Sequence, residues 1–533
     1  MFVLAFSIGI FSYIIFLLGI IGVLFYPFVI ALTLLYWGAF IFIYRNRFLI
    51  FFKEFRFQRY SLFFLLCVLI IFIQALVNLI GVLGPEIGFD ALWYHLTLPK
   101  LYLQYHTIFH VPGGTLLYSD MPKLTEMLYV SGLSFGSSIF PKFIHFLFGI
   151  LCCIALYKVA RRYFTPTIAI IAPVIFYSSL VVGWESVTAY IDLSRTFFEI
   201  MTLWSFLNWT KSKKQEDLIK TGLLSGLTFA TKTLAFGNVI IYAFMFLIFD
   251  FKTLPFVKTF KRTFIFVCLA FLIPLPWFVF SYVHTGNPFY PIFSPFLSVG
   301  RLNFFQTLNP LHFINSIWST FVISADPINP IYLISIPFIF IHWKSLRREI
   351  PEILILSLVS FLTWYVTPQM GGGRFILAFL PIFTILVVYL LTILSESWRK
   401  IFILSILFLS IVSIGYRLIA NYKFVPVILG SETKANFLSK NLAFNLGDFY
   451  DIDGYFAKNI KSNEKVLLYG FHNLYYVDFP YIDSSWVQKG DIINYVAVLN
   501  SQKPERFAYW NLIYFNKTTG VSLYQAPEGL WRY

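Results

Sequence analysis

Charged residues are scarce in this sequence of 533 residues: Asp, Glu, Lys and Arg make up 12%, whereas hydrophobic residues make up 59%. A soluble protein carries about 25% charged residues and cannot keep so much apolar surface away from water. The recurrent apolar runs of about 20 residues are instead long enough to cross a hydrocarbon core about 30 Å thick. The composition excludes an ordinary soluble protein and predicts an α-helical polytopic membrane protein.

Cysteine is also rare, with four residues in the whole chain. All four lie inside apolar runs and none has the spacing of a metal-ligand pair: Cys67, Cys152, Cys153 and Cys268. We interpret them as packing residues, and we expect neither a disulfide nor a structural zinc site.

Several motifs of soluble enzymes are missing. The sequence contains no HExxH, no P-loop and no CxxC. These absences leave a zinc hydrolase and a nucleotide-driven pump without support. The N-terminus has no basic segment before its apolar run and no small-residue cleavage site, so we expect retained membrane helices rather than a signal peptide.

Basic residues are the charge that the chain does have in excess, with a formal net charge of +15. They cluster between apolar runs, as is typical of cytoplasmic loops, so we expect no nucleic-acid partner. The clusters that we assign to the cytoplasm are Lys158, Arg161 and Arg162; Lys211, Lys213, Lys214 and Lys220; Lys252, Lys258, Lys261 and Arg262; Lys344, Arg347 and Arg348; and Arg399 and Lys400.

The alternation of these clusters predicts the topology. Apolar runs at 2–23, 26–44 and 61–83 predict the first three spans. The loop after the second span carries five basic residues against one acid, which places it in the cytoplasm: Arg45, Arg47, Lys53, Arg56 and Arg59 against Glu54. About thirteen spans satisfy the pattern, with the least certain crossing at 218–250 around Gly237-Asn238. The loops with few basic residues are then external: 84–142, 183–190, 284–328 and 367–373.

The composition changes after about Tyr422, where charges become frequent and balanced. Strand-like runs at 465–470 and 495–500 follow helical patterns at 432–443 and 449–460. We predict three parts: two N-terminal helices and a cytoplasmic loop (1–60), a transmembrane core with an external loop at 84–142 (61–421), and a small external α/β domain (422–533).

Ionisable side chains near membrane depth give a short set of functional candidates. Such a residue costs about 2.5–3.5 kcal/mol at mid-span, so those that persist usually face an interior cavity. One outward-opening cavity could collect most of them: Asp90, His145, Glu185, Asp192, Arg195, Lys232 and Arg374. A satisfied core histidine is the more common role for a residue such as His145.

Asp90 follows the third predicted span within the stretch GPEIGFDALWYHLTLPK. Its aromatic neighbours Phe89, Trp93 and Tyr94 are typical of a site that holds a sugar ring. The alternative is an N-cap, because Asp before ALWYHL suits the start of a loop helix. Both interpretations remain open from the residues alone.

The other candidates have structural alternatives as well. Lys232 lies between apolar residues and could snorkel to headgroups or face a lipid-linked phosphate. Arg374 follows three glycines and could bind a phosphate through two donors, or anchor a helix at the interface. Asp192 could be a solvated interface residue. Glu126, like Asp120, could be a second carboxylate or a solvated loop charge.

Several segments, taken in their order along the chain, resemble segments of the GT-C superfamily of membrane glycosyltransferases. The resemblance is to the bacterial branch related to protein O-mannosyltransferases and lipid A aminoarabinose transferases. FDALWYHLTLPKLYL is similar to the first external loop of that branch, and MPKLTEMLYVSGLSFG to the Pro-rich segment that follows. AYIDLS resembles the second acidic site, GLLSGLTFATKTLAF the Gly-rich span ending in Lys, and RFILAFLP the late span that begins with Arg. PWFVFSYVHTGNPFYP at 276–291 is the most specific segment.

The resemblance implies transfer of a sugar, with inversion, from a polyprenyl-phosphate carrier to a hydroxyl or amine of a glycan, lipid or protein acceptor. It implies an integral protein of a bacterial inner membrane, with the active site and C-terminus on the periplasmic face. Asp90 would be the general base. Lys232, Arg374 and Lys123 would bind the donor phosphate, with Lys142 a possible helper. Asp192, His95, Tyr94, Trp93 and Glu126 would support the site or the substrate.

The sequence also departs from the family pattern. Met121-Pro122-Lys123 stands where many relatives carry a basic residue and two prolines, and Lys142 stands where Arg is frequent. The acidic motif at Asp90 is single rather than paired, so we favour no cofactor, although a divalent metal is possible. Two other functions remain as alternatives: a transporter or flippase of a lipid-linked glycan, and an O-antigen ligase or polymerase.

Overall fold

The computed structural model describes residues 1–57, 60–294, 309–324, 326–367 and 372–533. Of the predicted loops, residues 58–59, 295–308, 325 and 368–371 lie outside the described residues. Helices make up most of the chain before residue 295: α1 (Phe2–Ile20), α2 (Tyr26–Phe57), α3 (Leu62–Leu83), α4 (Thr97–Tyr105), α5 (Leu124–Leu133), α6 (Ile139–Ala160), α7 (Pro166–Ala169), α8 (Ile171–Tyr177), α9 (Leu180–Glu185), α10 (Asp192–Ser212), α11 (Gln215–Thr231), α12 (Phe236–Phe251), α13 (Phe256–Leu272) and α14 (Leu275–Thr285).

The second half of the chain continues the helical bundle and then changes character. Its helices are α15 (Pro310–Trp318), α16 (Ile331–Ile341), α17 (Trp343–Glu349), α18 (Pro351–Val366), α19 (Gly373–Ile376), α20 (Leu380–Ile393), α21 (Glu396–Tyr422), α22 (Val425–Ile428), α23 (Lys434–Asn441) and α24 (Tyr455–Asn459). Single π or 3₁₀ turns lie at Ala91–His95, Thr233–Ala235, Ser319–Ile323, Leu377–Phe379, Phe444–Leu446 and Glu505–Phe507.

Several helices have the length and composition of membrane spans, which confirms the polytopic helical class. Among the described residues there are seven such helices, or nine if two bent pairs each count as one span. The seven are Phe2–Ile20, Tyr26–Asn46, Leu62–Leu83, Ile139–Ala160, Thr233–Phe251, Gly373–Ile393 and Glu396–Tyr422. The bent pairs are α13 with α14, at 60°, and α17 with α18, at 114°. Thirteen crossings therefore stays a prediction.

Two boundaries differ from the sequence prediction. The helix that we expected to end near residue 44 runs on to Phe57, so the backbone hydrogen bonds of the helix continue through the basic segment. The break within 218–250 lies at Lys232 rather than at Gly237-Asn238, because Lys232 has extended backbone angles (φ −151°, ψ 124°). Gly237 and Asn238 lie inside the helix that follows.

Helix α10 lies at the centre of the bundle. It packs along α6 and α11, and most of its residues are buried from Asp192 through Trp209. Glycines allow the close approach of α11 to α13, where a Cβ at Gly226 would meet the carbonyl oxygen of Ala270 at 2.9 Å. This packing fixes the end of α10 at which Asp192 lies.

The C-terminal part contains a small mixed sheet, which confirms a sheet region within the predicted α/β domain. Its main sheet has the order β2-β1-β4-β6-β5, where β1 (Val466–Tyr469) is parallel to β2 (Tyr481–Asp483) and β4 (Tyr495–Val498). Strands β6 (Ser522–Gln525) and β5 (Asn511–Phe515) add antiparallel neighbours. A separate antiparallel pair joins β3 (Ile492–Ile493) to β7 (Trp531–Arg532).

This sheet region is docked on the loop at 84–142. The ammonium of Lys100 donates to the carbonyl oxygens of Tyr475 and Val477, both at 2.8 Å, and to Asp478 at 2.6 Å. The hydroxyl of Thr115 donates to Asp483 Oδ1 at 2.8 Å. These hydrogen bonds hold the C-terminal sheet against the loop.

Candidate active site

The segment before Asp90 is fixed by a buried carboxylate, that of Glu86. Its Oε1 accepts from the backbone nitrogens of Ile87 and Gly88, at 2.9 and 2.7 Å, and from the hydroxyl of Thr188 at 2.9 Å. Its Oε2 accepts from the backbone nitrogen of Ala189 at 2.7 Å. Glu86 thus joins the loop that carries Asp90 to the segment that carries Tyr190 and Asp192.

Asp90 precedes a single π turn at Ala91–His95, and its side chain makes no capping hydrogen bond there. Its Oδ2 instead accepts from Arg374 Nη1 at 2.6 Å. The backbone nitrogen of Asp90 donates to the hydroxyl of Tyr190 at 3.1 Å. The geometry therefore favours the functional interpretation of Asp90 over the N-cap alternative. One-fifth of its side chain remains exposed.

Arg374 connects three carboxylates. Besides Asp90, its Nε lies 2.8 Å from Asp192 Oδ2 and 3.4 Å from Glu185 Oε1. Its guanidinium carbon lies 4.3 Å from the ring centroid of Tyr190. A planar guanidinium can reach several acceptors at once, which an ammonium group cannot do with the same geometry.

Lys232 reaches the same cluster from the other side of Asp192. Its Nζ lies 2.5 Å from Asp192 Oδ1 and 5.3 Å from the ring centroid of Phe375. The helix break at Lys232 brings this side chain to the end of α11. Asp192 is the first residue of α10, where a negative charge also interacts favourably with the helix dipole.

Three carboxylates therefore surround two cations in a site of low exposure. Arg374 and Lys232 keep 12% and 13% of their side chains exposed, whereas Asp192 keeps 2% and Glu185 none. Burial raises the pKa of Asp90, but the charge and the hydrogen bond of Arg374, together with the charge of Lys232, outweigh it and hold that pKa below its ordinary value. Asp90 is thus an ionised carboxylate at neutral pH.

Tyr94, His95 and Glu126 lie next to Asp90. The hydroxyl of Tyr94 donates to Asp90 Oδ2 at 3.4 Å, and His95 Nδ1 lies 2.9 Å from Glu126 Oε1. Burial lowers the pKa of His95, although its hydrogen bond to Glu126 and the charges of Glu126 and Asp90 oppose that shift. His95 Nε2 and Glu126 Oε2 are buried without a hydrogen-bond partner.

Trp93 and Lys123 lie farther along the same loop. The indole nitrogen of Trp93 donates to the carbonyl oxygen of Thr115 at 2.5 Å. The ammonium of Lys123 is buried and lies 6.0 Å from the ring centroid of Tyr94. Burial lowers its pKa, while Glu126 and Asp120 oppose that shift. Lys123 therefore contacts the aromatic side of the site, whereas Lys232 and Arg374 contact Asp192.

The side chains of two other candidates, His145 and Lys142, form hydrogen bonds with backbone atoms. His145 Nδ1 lies 2.8 Å from the carbonyl oxygens of Glu185 and Thr188, and its Nε2 accepts from the backbone nitrogen of Leu193 at 3.1 Å. Lys142 donates to the carbonyl oxygens of Gly81 and Gly84, both at 2.8 Å, and to that of Pro85 at 3.3 Å. These contacts explain both side chains as structural.

Some residues of this site escaped the sequence analysis. Glu86 could have been recognised as a candidate from the sequence, since it is an acid directly after the Gly-Pro that ends a span. Tyr190 lies two residues before Asp192 but carries no charge to mark it. His472 belongs to the C-terminal part, and nothing in its local sequence links it to Asp90. Its ring centroid nevertheless lies 4.4 Å from that of Trp93.

One nucleophile-like pattern, Gly-Leu-Ser-Phe-Gly at 132–136, has a structural explanation. A nucleophile elbow requires a strand before the serine, whereas Ser134 follows α5 and its hydroxyl donates to the carbonyl oxygen of Ser131 at 2.6 Å. Within the described parts of the chain, no group of three or more His, Cys, Asp and Glu side chains has an arrangement that could hold a metal ion.

Comparison with known proteins finds a family match over part of the chain. Residues 130–279 match the family model of dolichyl-phosphate-mannose-protein mannosyltransferase, a region that contains Asp192 and Lys232 but neither Asp90 nor Arg374. No curated protein sequence matches with statistical significance.

Solved structures resemble the chain over a longer range. ArnT from Cupriavidus metallidurans in the apo state aligns with a TM-score of 0.57 at 12% identity, over 86% of this chain and 97% of ArnT. The same protein bound to undecaprenyl phosphate aligns over the same shares, also at 12% identity, with a TM-score of 0.53. The oligosaccharyltransferase AglB from Archaeoglobus fulgidus, in complex with an inhibitory peptide and a dolichol-phosphate, has a TM-score of 0.46 at 13% identity, over 81% of this chain and 69% of AglB.

At 12% identity the likeness to ArnT is a likeness of fold alone. The family-model match, which covers residues 130–279, and this likeness of fold support a glycosyltransferase that resembles ArnT and the protein O-mannosyltransferases.

Proposed function

We propose that this glycosyltransferase moves a sugar from a polyprenyl-phosphate carrier to an acceptor hydroxyl or amine at the outer face of the membrane, with Asp90 as the general base. The contact that supports this most directly is the bridge of Arg374 between Asp90, at 2.6 Å, and Asp192, at 2.8 Å. This bridge supports a site in which a carboxylate base lies beside cations suited to a phosphate. ArnT, which has the same fold, binds undecaprenyl phosphate.

Asp90 suits the role of base because it is ionised and partly exposed. In the proposed step it takes the proton of the acceptor O–H or N–H while the acceptor atom bonds to the anomeric carbon. The bond between that carbon and the phosphate oxygen breaks on the opposite side of the sugar, so the anomeric configuration inverts. A positioned base contributes about 10²–10⁴-fold to such a step.

Lys232 and Arg374 are suited to stabilise the leaving group. The departing lipid phosphate gains negative charge, and fixed cations stabilise such charge far more in a site of low dielectric than in water. Both cations are held by Asp192, so they are already oriented before a donor arrives. A phosphate would compete with the carboxylates for these same cations.

The test is turnover of Asp90→Asn in the purified full chain, reconstituted in nanodiscs with an undecaprenyl-phospho-sugar donor. We expect a loss of about 10²-fold or more, because the amide cannot accept the proton. Asp453→Asn, at an exposed carboxylate of the C-terminal part, is the matched control and should keep normal turnover.

The same variant separates this function from transport of a lipid-linked glycan. A transporter needs no proton acceptor at position 90 and should tolerate the substitution. Normal turnover by Asp90→Asn would show that another group is the base, and donor movement across the bilayer without sugar transfer would favour a flippase.

A further inference from the structure

Five aromatic rings lie together beside Asp90, four from the loop at 84–142 and one from the C-terminal part. We name them the aromatic wall: Phe89, Trp93, Tyr94, Tyr118 and His472. The ring of His472 stacks on Phe89 with centroids 4.9 Å apart, and it lies 4.4 Å from Trp93. Tyr118 lies 5.1 Å from Trp93 and 4.8 Å from Tyr94.

The aromatic wall is not part of the closed core. All five side chains keep partial exposure, whereas nearby aromatic residues such as Tyr102 and Tyr129 are fully buried. Rings that pack on one another yet still present surface form a rigid apolar face whose polar edges can donate or accept hydrogen bonds. Such a face is suited to a ligand that is apolar on one side and polar at its rim.

The C-terminal part presents His472 on a tightly constrained turn. The backbone nitrogens of His472 and Asn473 donate to the carbonyl oxygen of Gly447, at 3.0 and 3.1 Å. Gly447 has φ +93°, and a Cβ on it would lie 2.6 Å from that of His472, so this position requires glycine. His472 Nδ1 is also held by Asn473 Oδ1 at 2.9 Å.

Two different residues contact the carboxylate of Asp90, one from the aromatic wall and one from the cation cluster of Arg374 and Lys232. Tyr94 donates to Asp90 Oδ2 from the aromatic wall, and Arg374 donates to the same oxygen from the cation cluster. If the donor phosphate occupies the cations, the molecule that gives its proton to Asp90 lies against the aromatic wall.

We propose that the acceptor is a carbohydrate, whose ring packs on the aromatic wall and whose reacting hydroxyl reaches Asp90, with His472 of the C-terminal part completing this subsite. The proposal rests on the proposed function for the identity of its reaction. A pyranose ring has C–H groups on one face and hydroxyls around its rim, which matches partly exposed aromatic rings with polar edges. A glycan or a glycolipid headgroup presents that chemistry.

Binding can be tested without any donor, by saturation-transfer NMR on the full chain in nanodiscs with a panel of methyl glycosides as probes. We expect transfer to the C–H protons of at least one glycoside, a reduction of about fivefold or more in His472→Ala, and retention in His472→Phe, which keeps a ring. Tyr509→Ala, at an exposed ring of the same part, is the matched control. Absence of transfer to every glycoside, or equal transfer in His472→Ala, would overturn the proposal.

Kinetics then separate this subsite from the proposed function. With an undecaprenyl-phospho-sugar donor and the bound glycoside as acceptor, His472→Ala should raise the KM for the acceptor about tenfold and leave the KM for the donor unchanged. A rise in the donor KM alone would assign the aromatic wall to the donor sugar and refute the proposal. Glycoside binding with no turnover by the wild-type chain would refute the transferase function but support the subsite.

Discussion

Arg374 is the residue on which the charge balance of the site depends. It faces Asp90, Asp192 and Glu185 within 3.4 Å. The charge of Lys232 also lowers the pKa of Asp90, and the hydroxyls of Tyr94 and Tyr190 form hydrogen bonds with Asp90. Two cations hold three carboxylates before any phosphate is bound. A donor phosphate that draws Arg374 away would leave Asp90 a stronger base.

This arrangement predicts a shift in the pH profile of Arg374→Gln. The charge of Arg374 keeps the pKa of Asp90 low despite burial, so its loss raises that pKa. Asp90 then becomes protonated at a higher pH, and the acid limb of kcat/KM for the acceptor should move to higher pH while the alkaline limb stays. Arg348→Gln, at an exposed arginine, should leave the profile in place, and an unmoved acid limb in Arg374→Gln would contradict the pairing.

The contribution of Asp90 to the free energy of unfolding also depends on pH, in the direction expected for a carboxyl group whose pKa is lowered in the folded state. The contribution of the Asp90 carboxylate is present above its unfolded pKa and is lost as the pH falls through its folded pKa. At the scale of residues, the sequence could single out Asp90, Asp192, Lys232 and Arg374 as candidates because charge is costly near a membrane, and their roles stay predictions. Uncharged partners such as Tyr190 and Tyr118 carry no such penalty, so composition could not identify them.

At the scale of elements, Glu86 connects two segments that are far apart in sequence. Its four acceptor contacts join residues 86–88 to residues 188–189, and Asp90 and Asp192 follow these segments directly. The distance between the two site carboxylates therefore depends on a side chain that touches neither of them.

Glu86→Gln should weaken both folding and turnover. The new amide NH₂ would face a backbone or hydroxyl donor, and a buried unsatisfied group costs about 1–3 kcal/mol. We expect a lower melting temperature of the purified chain and a fall in kcat larger than any change in the KM for the donor. Glu528→Gln, at an exposed position, controls for the loss of charge. Unchanged melting and kcat would show that the loop is held by other contacts.

The boundaries of elements were less predictable than their existence. Strands at 466–469 and 495–498 lie within the predicted runs, because these runs are continuously apolar and contain Val and Tyr, which favour strands. The break at Lys232 was misplaced, since glycine marked Gly237 as a more obvious interruption than a lysine within an apolar run. Lys232 also forms an ion pair with Asp192, a tertiary contact that local sequence does not encode.

For the whole molecule, the topology that places Asp90 outside is still a prediction from the distribution of basic residues. It can be tested by cysteine labelling in a Cys268→Ser background, because Cys268 is exposed and the other three cysteines are buried. Ser431→Cys should react with an impermeant reagent from outside, and Lys213→Cys only after permeabilisation. Reversed accessibility would put the site on the cytoplasmic face.

The docking of the C-terminal sheet on the loop could not be read from the sequence either. It depends on hydrogen bonds from Lys100 to three acceptors that are more than 370 residues distant in the sequence. No local sequence pattern predicts such contacts. The polytopic class followed from hydropathy and the sheet region from short apolar runs, whereas the contacts between the sheet and the loop depend on tertiary packing alone.

The central claim is that the cations beside the Asp90 carboxylate receive a lipid phosphate, and the affinity of Lys232→Met for undecaprenyl phosphate tests it most directly. The measurement compares the reconstituted variant with the wild-type chain and with Lys220→Met, a control at a lysine whose ion pair is with the largely exposed Glu216. The account predicts that Lys232→Met binds at least tenfold more weakly and that Lys220→Met binds normally. Equal affinity in all three proteins would contradict it.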